Sequence, residues 1–288
     1  KDFRSKFQND LSSSPDSSFV REALGKGLLS QDRQSINPLK FGVIASTDTH
    51  LGTPGAVDES SFQGHGGAGK SFRSSIPEGL PDDIEFNPGG LAVAWAEENS
   101  RSAIFDAFQR KEVYGTSGPR FIVRFFVGDN LDKNLCKNPD NISYAYANAT
   151  PMGGTIASDS LSQPSIFISA SADSSIKDQF IEKLQVVKGV VRNGELLTTV
   201  HDVGVTNAQS KLDIANCEVT GSGEKAMCSV WNDPNFNSSE NAYYYVRVVA
   251  NKSCRWSHNL CLQNPEYCEA DSDASIPKVI QERAWTSP

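Results

Sequence analysis

Between residues 121 and 249 the chain keeps returning to short runs of β-branched and aromatic residues: FIVRFFV, SIFISAS, EKLQVVKGVV, LLTTVHDV and AYYYVRVV. Clusters of Gly, Pro, Asn, Asp and Ser separate them. Runs of this length between turn formers are strands, and successive side chains on a strand point to opposite faces. Five in succession predict an all-β module, a mostly antiparallel β-sandwich.

The first part of the chain has a different texture. Residues 16–30, DSSFVREALGKGLLS, place Phe19, Val20, Ala23, Leu24 and Leu28 at helical spacing behind a Ser/Asp cap signal, predicting a helix that ends near Leu29. KFGVIAS at 40–46 is a short, nearly continuous apolar run and predicts a strand buried on both faces of a parallel sheet. Asp48 and His50 follow it directly in TDTH. Residues two apart on an extended chain share a side, so both are expected to face one pocket at the strand's carboxyl end, where α/β folds place their chemistry. Residues 51–90 are rich in Gly, Pro, Ser and Asp and predict a long irregular lid. GGLAVAWAEE (89–98) and RSAIFDAFQRKE (101–112) predict two helices, the second capped by Asn99 or Ser100. Two regions result, 1–118 and 119–288.

Composition narrows the function classes. A net charge of −8 and a pI near 5.1 argue against a general nucleic-acid binder, because phosphate neutralisation needs an excess of Lys and Arg. No apolar run approaches the roughly 20 residues of a membrane span, and KDFRSKFQND at the start lacks the apolar stretch of a signal peptide. All six cysteines (136, 217, 228, 254, 261 and 268) lie in the second half, without the C-x-x-C pairs of a structural zinc site. Disulfides are therefore expected, with Cys217 paired locally to Cys228 and two of Cys254, Cys261 and Cys268 joined. That implies an oxidising compartment, secreted or periplasmic. Sequons at Asn141, Asn148, Asn237 and Asn251 make glycosylation chemically available.

GHGGAGKS at 64–71 satisfies the phosphate-loop pattern letter for letter. Such a loop works only between a buried strand and a helix. Here GAVDESSFQ precedes it and Pro77 and Pro81 follow, so the context fails on both sides and no nucleotide is expected. What remains is a glycine loop whose His65 and Lys70 are candidates to contact an anionic group. No G-x-S-x-G elbow and no H-E-x-x-H motif occurs, and the adjacent Glu97 and Glu98 read as a solvated face.

The run NPLKFGVIASTDTHLGTPGAVDE resembles the closing barrel strand of PHP-type metallohydrolases (the polymerase and histidinol phosphatase superfamily), whose last metal motif is D-x-H. More closely, it resembles a bacterial family of PHP-like proteins known as a domain of unknown function. The resemblance continues through NPGGLAVAWAEENSRSAIFDAFQRKEVYGTSGPRFIVRFF, NAYYYVRVV, CRWS and QERAWTSP. It implies an α+β architecture: the last segment of a PHP-type (β/α) barrel followed by the sandwich. It implies Asp48 and His50 as metal ligands and places His65 in a glycine loop. Thr116, Ser117 and Arg120 fall in TSGPR, similar to the T-x-G-P element joining barrel to sandwich, where Gly and Pro serve the bend and Arg120 is a candidate substrate contact.

PHP sites also begin with H-x-H, which is absent here: the four histidines are His50, His65, His201 and His258. The chain therefore reads as the C-terminal part of a longer enzyme, with the N-terminal part of the same parent protein as the partner that completes the centre. The implied function is a share in a metal-dependent hydrolase of a small phosphoester or related ester. Imidazole favours zinc, manganese or iron over magnesium. The rival is a secreted, non-catalytic binding or structural β-sandwich module.

Overall fold

The computed structural model describes residues 19–62, 88–263, 265 and 278–288. These residues form two antiparallel sheets packed face to face. The first has six strands in the order β1 (Leu91–Ala94), β2 (Val113–Thr116), β12 (Val279–Thr286), β11 (Ala242–Cys254), β6 (Ile181–Arg192) and β7 (Glu195–Val205). The second has four, in the order β10 (Ala226–Asn232), β5 (Pro164–Ser171), β3 (Ile122–Asp129) and β4 (Thr150–Pro151). A separate hairpin joins β8 (Ser210–Asp213) to β9 (Glu218–Gly221).

Period-two alternation builds the core. Phe121, Val123 and Phe125, with Ile166, Ile168 and Ala170 of β5, meet Leu184, Val186, Val246, Val248 and Ala284 of the larger sheet. The alternate residues Phe126 and Phe167 turn outward and are covered by Ala145 of α3 (Asn141–Asn148) and by Leu131 and Leu135. On the other side, Leu24 and Leu28 of α1 (Val20–Gln34) cover Val191 and Tyr243. Buried Tyr114 ties the layers together: its hydroxyl donates to Phe121 O (2.7 Å) and accepts from Val123 N (3.2 Å), and burial pushes its pKa up to about 12. Asn193 and Gly194, with φ of 54° and 76°, close the β6–β7 hairpin in the positive-φ pair that a two-residue turn of this hand requires.

Three expectations need correction. No (β/α) barrel segment is present among the described residues; the sheets are antiparallel throughout. Residues 40–46, read as a buried parallel strand, are irregular and partly exposed, with Ile44 50% exposed. A short apolar run has no strand character of its own; it needs neighbours to take its backbone bonds. Here those bonds are sparse: Val43 N donates to Ser287 Oγ (2.9 Å), and Ser46 O accepts from Gly90 N (2.9 Å).

Residues 89–98, read as a helix, instead supply the edge strand β1, paired antiparallel with β2. Gly89 at φ 76° and Gly90 disfavour a helix start, and four apolar residues are too few to carry a 3.6-residue period. The helix predicted over 101–112 forms as α2 (Arg101–Gln109), capped by Ser100 Oγ accepting from Ala103 N (3.3 Å). The division expected after residue 118 falls in the Ser117–Phe121 turn between β2 and β3, where the chain passes from one layer to the other.

Candidate functional site

Asp48 and His50 lie on the irregular segment that crosses β1 and β2. Glycines make room for the crossing: a Cβ on Gly115 would sit 2.9 Å from Ala45 N, and one on Gly90 would sit 2.8 Å from Ala45 Cβ. Both side chains are exposed. Asp48 has φ 58°, in the left-handed region, so the segment is not extended there and the same-side rule for residues two apart does not hold. Among the described residues, neither side chain makes a hydrogen bond or ion pair, and the two belong to no cluster of three metal-ligand groups.

Beside them opens a cleft of about 1010 Å³. Its walls are the loop from Thr49 to Phe62, the Gly118–Arg120 turn, the Asp173–Gln179 loop, the Cys217–Thr220 stretch and the end of β11. Three buried carboxylates line it, and each has a structural task. Glu59 Oε2 accepts from Trp256 N (2.7 Å), capping α4 (Trp256–Gln263). Glu282 accepts from Ser117 Oγ, which also accepts from Arg283 N (2.8 Å), stitching the TSGPR turn to β12. Asp173 Oδ2 accepts from Arg120 N (2.7 Å), and its Oδ1 accepts from Ser175 N (2.9 Å) and Oγ (2.6 Å). Burial pushes the Asp173 carboxyl up, but the Ser175 and Arg120 hydrogen bonds outweigh it and hold the pKa below the usual range.

Arg120 is therefore held by its backbone while its exposed guanidinium lines the cleft, forming no ion pair among the described residues. The cleft thus joins two sequence-predicted elements, the D-x-H loop through Thr49 and the TSGPR turn through Arg120. A second cavity of about 670 Å³, under α1 and beside Tyr243 and Tyr244, is lined by none of the predicted residues. His65 and Lys70 lie outside the described residues.

The cysteines pair differently from the local expectation. Cys136 joins Cys228, and Cys217 joins Cys254, with Cα–Cα separations of 5.7 and 5.6 Å. Cys261 is also disulfide-bonded, and Cys268 lies outside the described residues. The first bridge ties Cys136, beside α3, to β10 beneath it, and the second anchors the β8–β9 hairpin to the end of β11. Neighbours in space, not in sequence, decide pairing, because Cα atoms must approach within about 7 Å. His258, which the sequence reading gave an ordinary packing or surface role, is buried in the first turn of α4 beside the second bridge. It follows Cys254 at C-x-x-x-H spacing.

Fold and site together define a two-layer antiparallel sandwich bridged by disulfides, with an irregular loop carrying Asp48 and His50 at one edge and a cleft lined by three buried carboxylates beside it. The chain belongs to the family described as protein of unknown function (DUF3604), whose family model matches residues 2–288. Comparison with curated proteins and with solved structures gave no match.

Proposed function

We propose that this chain forms one wall of the active site of a metal-dependent hydrolase acting on a phosphoester or a related anionic ester. The observation that carries the reading is that the segment bearing Asp48 and His50 borders, through Thr49 and Leu51, a cleft into which Arg120 presents a guanidinium that forms no ion pair among the described residues. A carboxylate oxygen and an imidazole nitrogen fit zinc, manganese or iron. When bound, such a cation lowers the pKa of water and polarises the scissile group. The chain's own task is positioning: the Asp173 bond fixes the backbone at Arg120, and the guanidinium fork suits a phosphate or carboxylate.

The PHP-type D-x-H pair is retained in this reading, without the barrel strand. The remaining ligands then come from outside the described residues, with the N-terminal part of the same parent protein as their source. A secreted or periplasmic location accords with the disulfides, and no helix of the described residues is long and apolar enough to cross a membrane.

The test is the metal content of the parent protein and of Asp48→Ala and His50→Ala variants, with hydrolysis of a chromogenic aryl phosphate measured alongside. Loss of metal and of turnover together is expected. Undiminished metal in both variants would sink the ligand assignment. It would leave the second reading, a secreted binding or structural module, which is favoured by the exposure of Asp48 and His50 and their lack of a third ligand among the described residues.

A further inference from the structure

A different part of the same cleft carries a second kind of chemistry. Cys217, Cys254 and His258 offer ligand atoms that all lie within 4.8 Å of one another. They come from three elements: the turn before β9, the end of β11 and the first turn of α4. Cys254 and His258 are buried, and both cysteines line the cleft. His258 Nε2 lies 2.7 Å from Ile214 O. A carbonyl only accepts, so in the neutral ring Nε2 carries the hydrogen and Nδ1 keeps the lone pair that a metal takes. A backbone carbonyl is a common outer partner for a metal-ligating histidine.

The geometry points to a redox-gated site for a soft divalent cation, zinc by preference, at Cys217, Cys254 and His258. In the oxidised chain the two sulfurs are spent on each other and the site is closed. A thiol or dithiol reductant breaks the S–S bond and leaves as its own disulfide, giving two thiols here. Zinc then binds both sulfurs as thiolates, and their two protons pass to solvent. Tetrahedral coordination sets ligand atoms about 3.7 Å apart, from Zn–S bonds of about 2.3 Å. The cluster's ligand atoms already lie within 4.8 Å of one another, close to that spacing. Three protein ligands would leave a fourth position for water or another ligand, the open arrangement of a Cys₂His zinc centre.

The test uses the full chain, oxidised or reduced with a phosphine, titrated with cobalt(II) as a spectroscopic stand-in for zinc. The reduced chain is expected to show thiolate-to-cobalt charge-transfer and tetrahedral visible bands that saturate at one equivalent, and the oxidised chain to lack those bands. Cys217→Ser, Cys254→Ser and His258→Ala should each lose that signal. The paired change Cys136→Ser with Cys228→Ser, and the single change Cys261→Ser, should keep it.

X-ray absorption at the zinc edge of the reduced wild type gives a readout independent of how the variants fold, with two sulfurs and at least one imidazole nitrogen expected. A reduced chain that takes up no cobalt, folded or not, overturns the proposal. So does a signal that survives His258→Ala, or a zinc shell without two sulfurs. The Asp48 and His50 variants should leave this signal intact, which separates its failure from that of the hydrolase reading.

Discussion

Lys188 and Asp233 form an ion pair across the two layers of the sandwich, with Nζ 2.6 Å from Oδ2 and side chains 5% and 0% exposed. Lys188 belongs to β6 of the larger sheet, and Asp233 directly follows β10 of the smaller. The pair is fully bonded: Tyr244 Oη donates to the same carboxylate oxygen (2.6 Å), and Lys188 also donates to Asn235 O (2.9 Å). Removing one partner strands a buried charge, so Lys188→Met is expected to cost about 3–5 kcal/mol in urea denaturation. Replacing both partners by apolar residues of similar volume should recover most of that loss. A single-variant cost below about 1 kcal/mol would mean that the pair is solvated in solution.

Acid should weaken the fold through the same carboxylate. Burial pushes the Asp233 carboxyl up, but hydrogen bonds from Lys188, Tyr244 and Asn235 and the Lys188 charge hold its folded pKa below the ordinary value. A lowered folded pKa contributes stability that is fully present above the unfolded value of about 3.9 and is lost as pH falls through the folded one. Asp173 is shifted the same way. The urea midpoint should therefore hold from pH 7 to about 5 and drop below about 4. In Asp173→Asn that drop should be shallower; an unchanged slope would remove Asp173 from the account.

Peptide mapping without reduction should recover Cys136 linked to Cys228, and Cys217 linked to Cys254. A Cys217–Cys228 peptide would contradict both bridges at once. The Cys136–Cys228 bridge spans 92 residues. Loop closure of that length suggests a loss of about 4–5 kcal/mol when both cysteines become serine, an upper figure if the bridge carries strain.

Gly115 lets the D-x-H segment lie against the sheet edge, because a side chain there would meet the backbone of Ile44 and Ala45. Gly115→Ala is expected to destabilise by about 1–3 kcal/mol through overpacking. It should also speed hydrogen exchange at the Gly90 amide, whose partner is Ser46 O. Full protection at Gly90 in the variant would show that the segment is not displaced.

If the cleft takes an anionic ester, Arg120→Ala should raise KM about tenfold or more with little change in thermal midpoint, because its backbone, not its guanidinium, makes the bond to Asp173. Arg120→Lys should restore only part of the affinity, since the ammonium lacks the two-pronged geometry. A fall in stability matching the fall in activity would assign Arg120 a structural role instead.

Much of the sandwich was legible in residue order. In FIVRFFV, Phe121, Val123 and Phe125 face the core while Phe126 turns outward, and this alternation is written in the sequence because strand side chains alternate by covalent geometry. The helices over α1 and α2 were legible for the same kind of reason, through longer patterns with a repeating period. The Asn193-Gly194 turn was equally readable and was passed over.

The candidate site was only half legible. The residue types in TDTH and TSGPR signalled ligands and an anion contact. Their shared cleft depends on Ser117 meeting Glu282, 165 residues away, which no local pattern reports. The sequence by itself determined which stretches are strands wherever a period of two ran for six residues or more. Tertiary structure alone decided whether KFGVIAS finds strand partners, whether LAVA becomes an edge strand, and which cysteines meet. Each of those outcomes turns on backbone bonds or contacts supplied from elsewhere in the chain, and a short apolar run or a lone cysteine holds no information about who its neighbour will be.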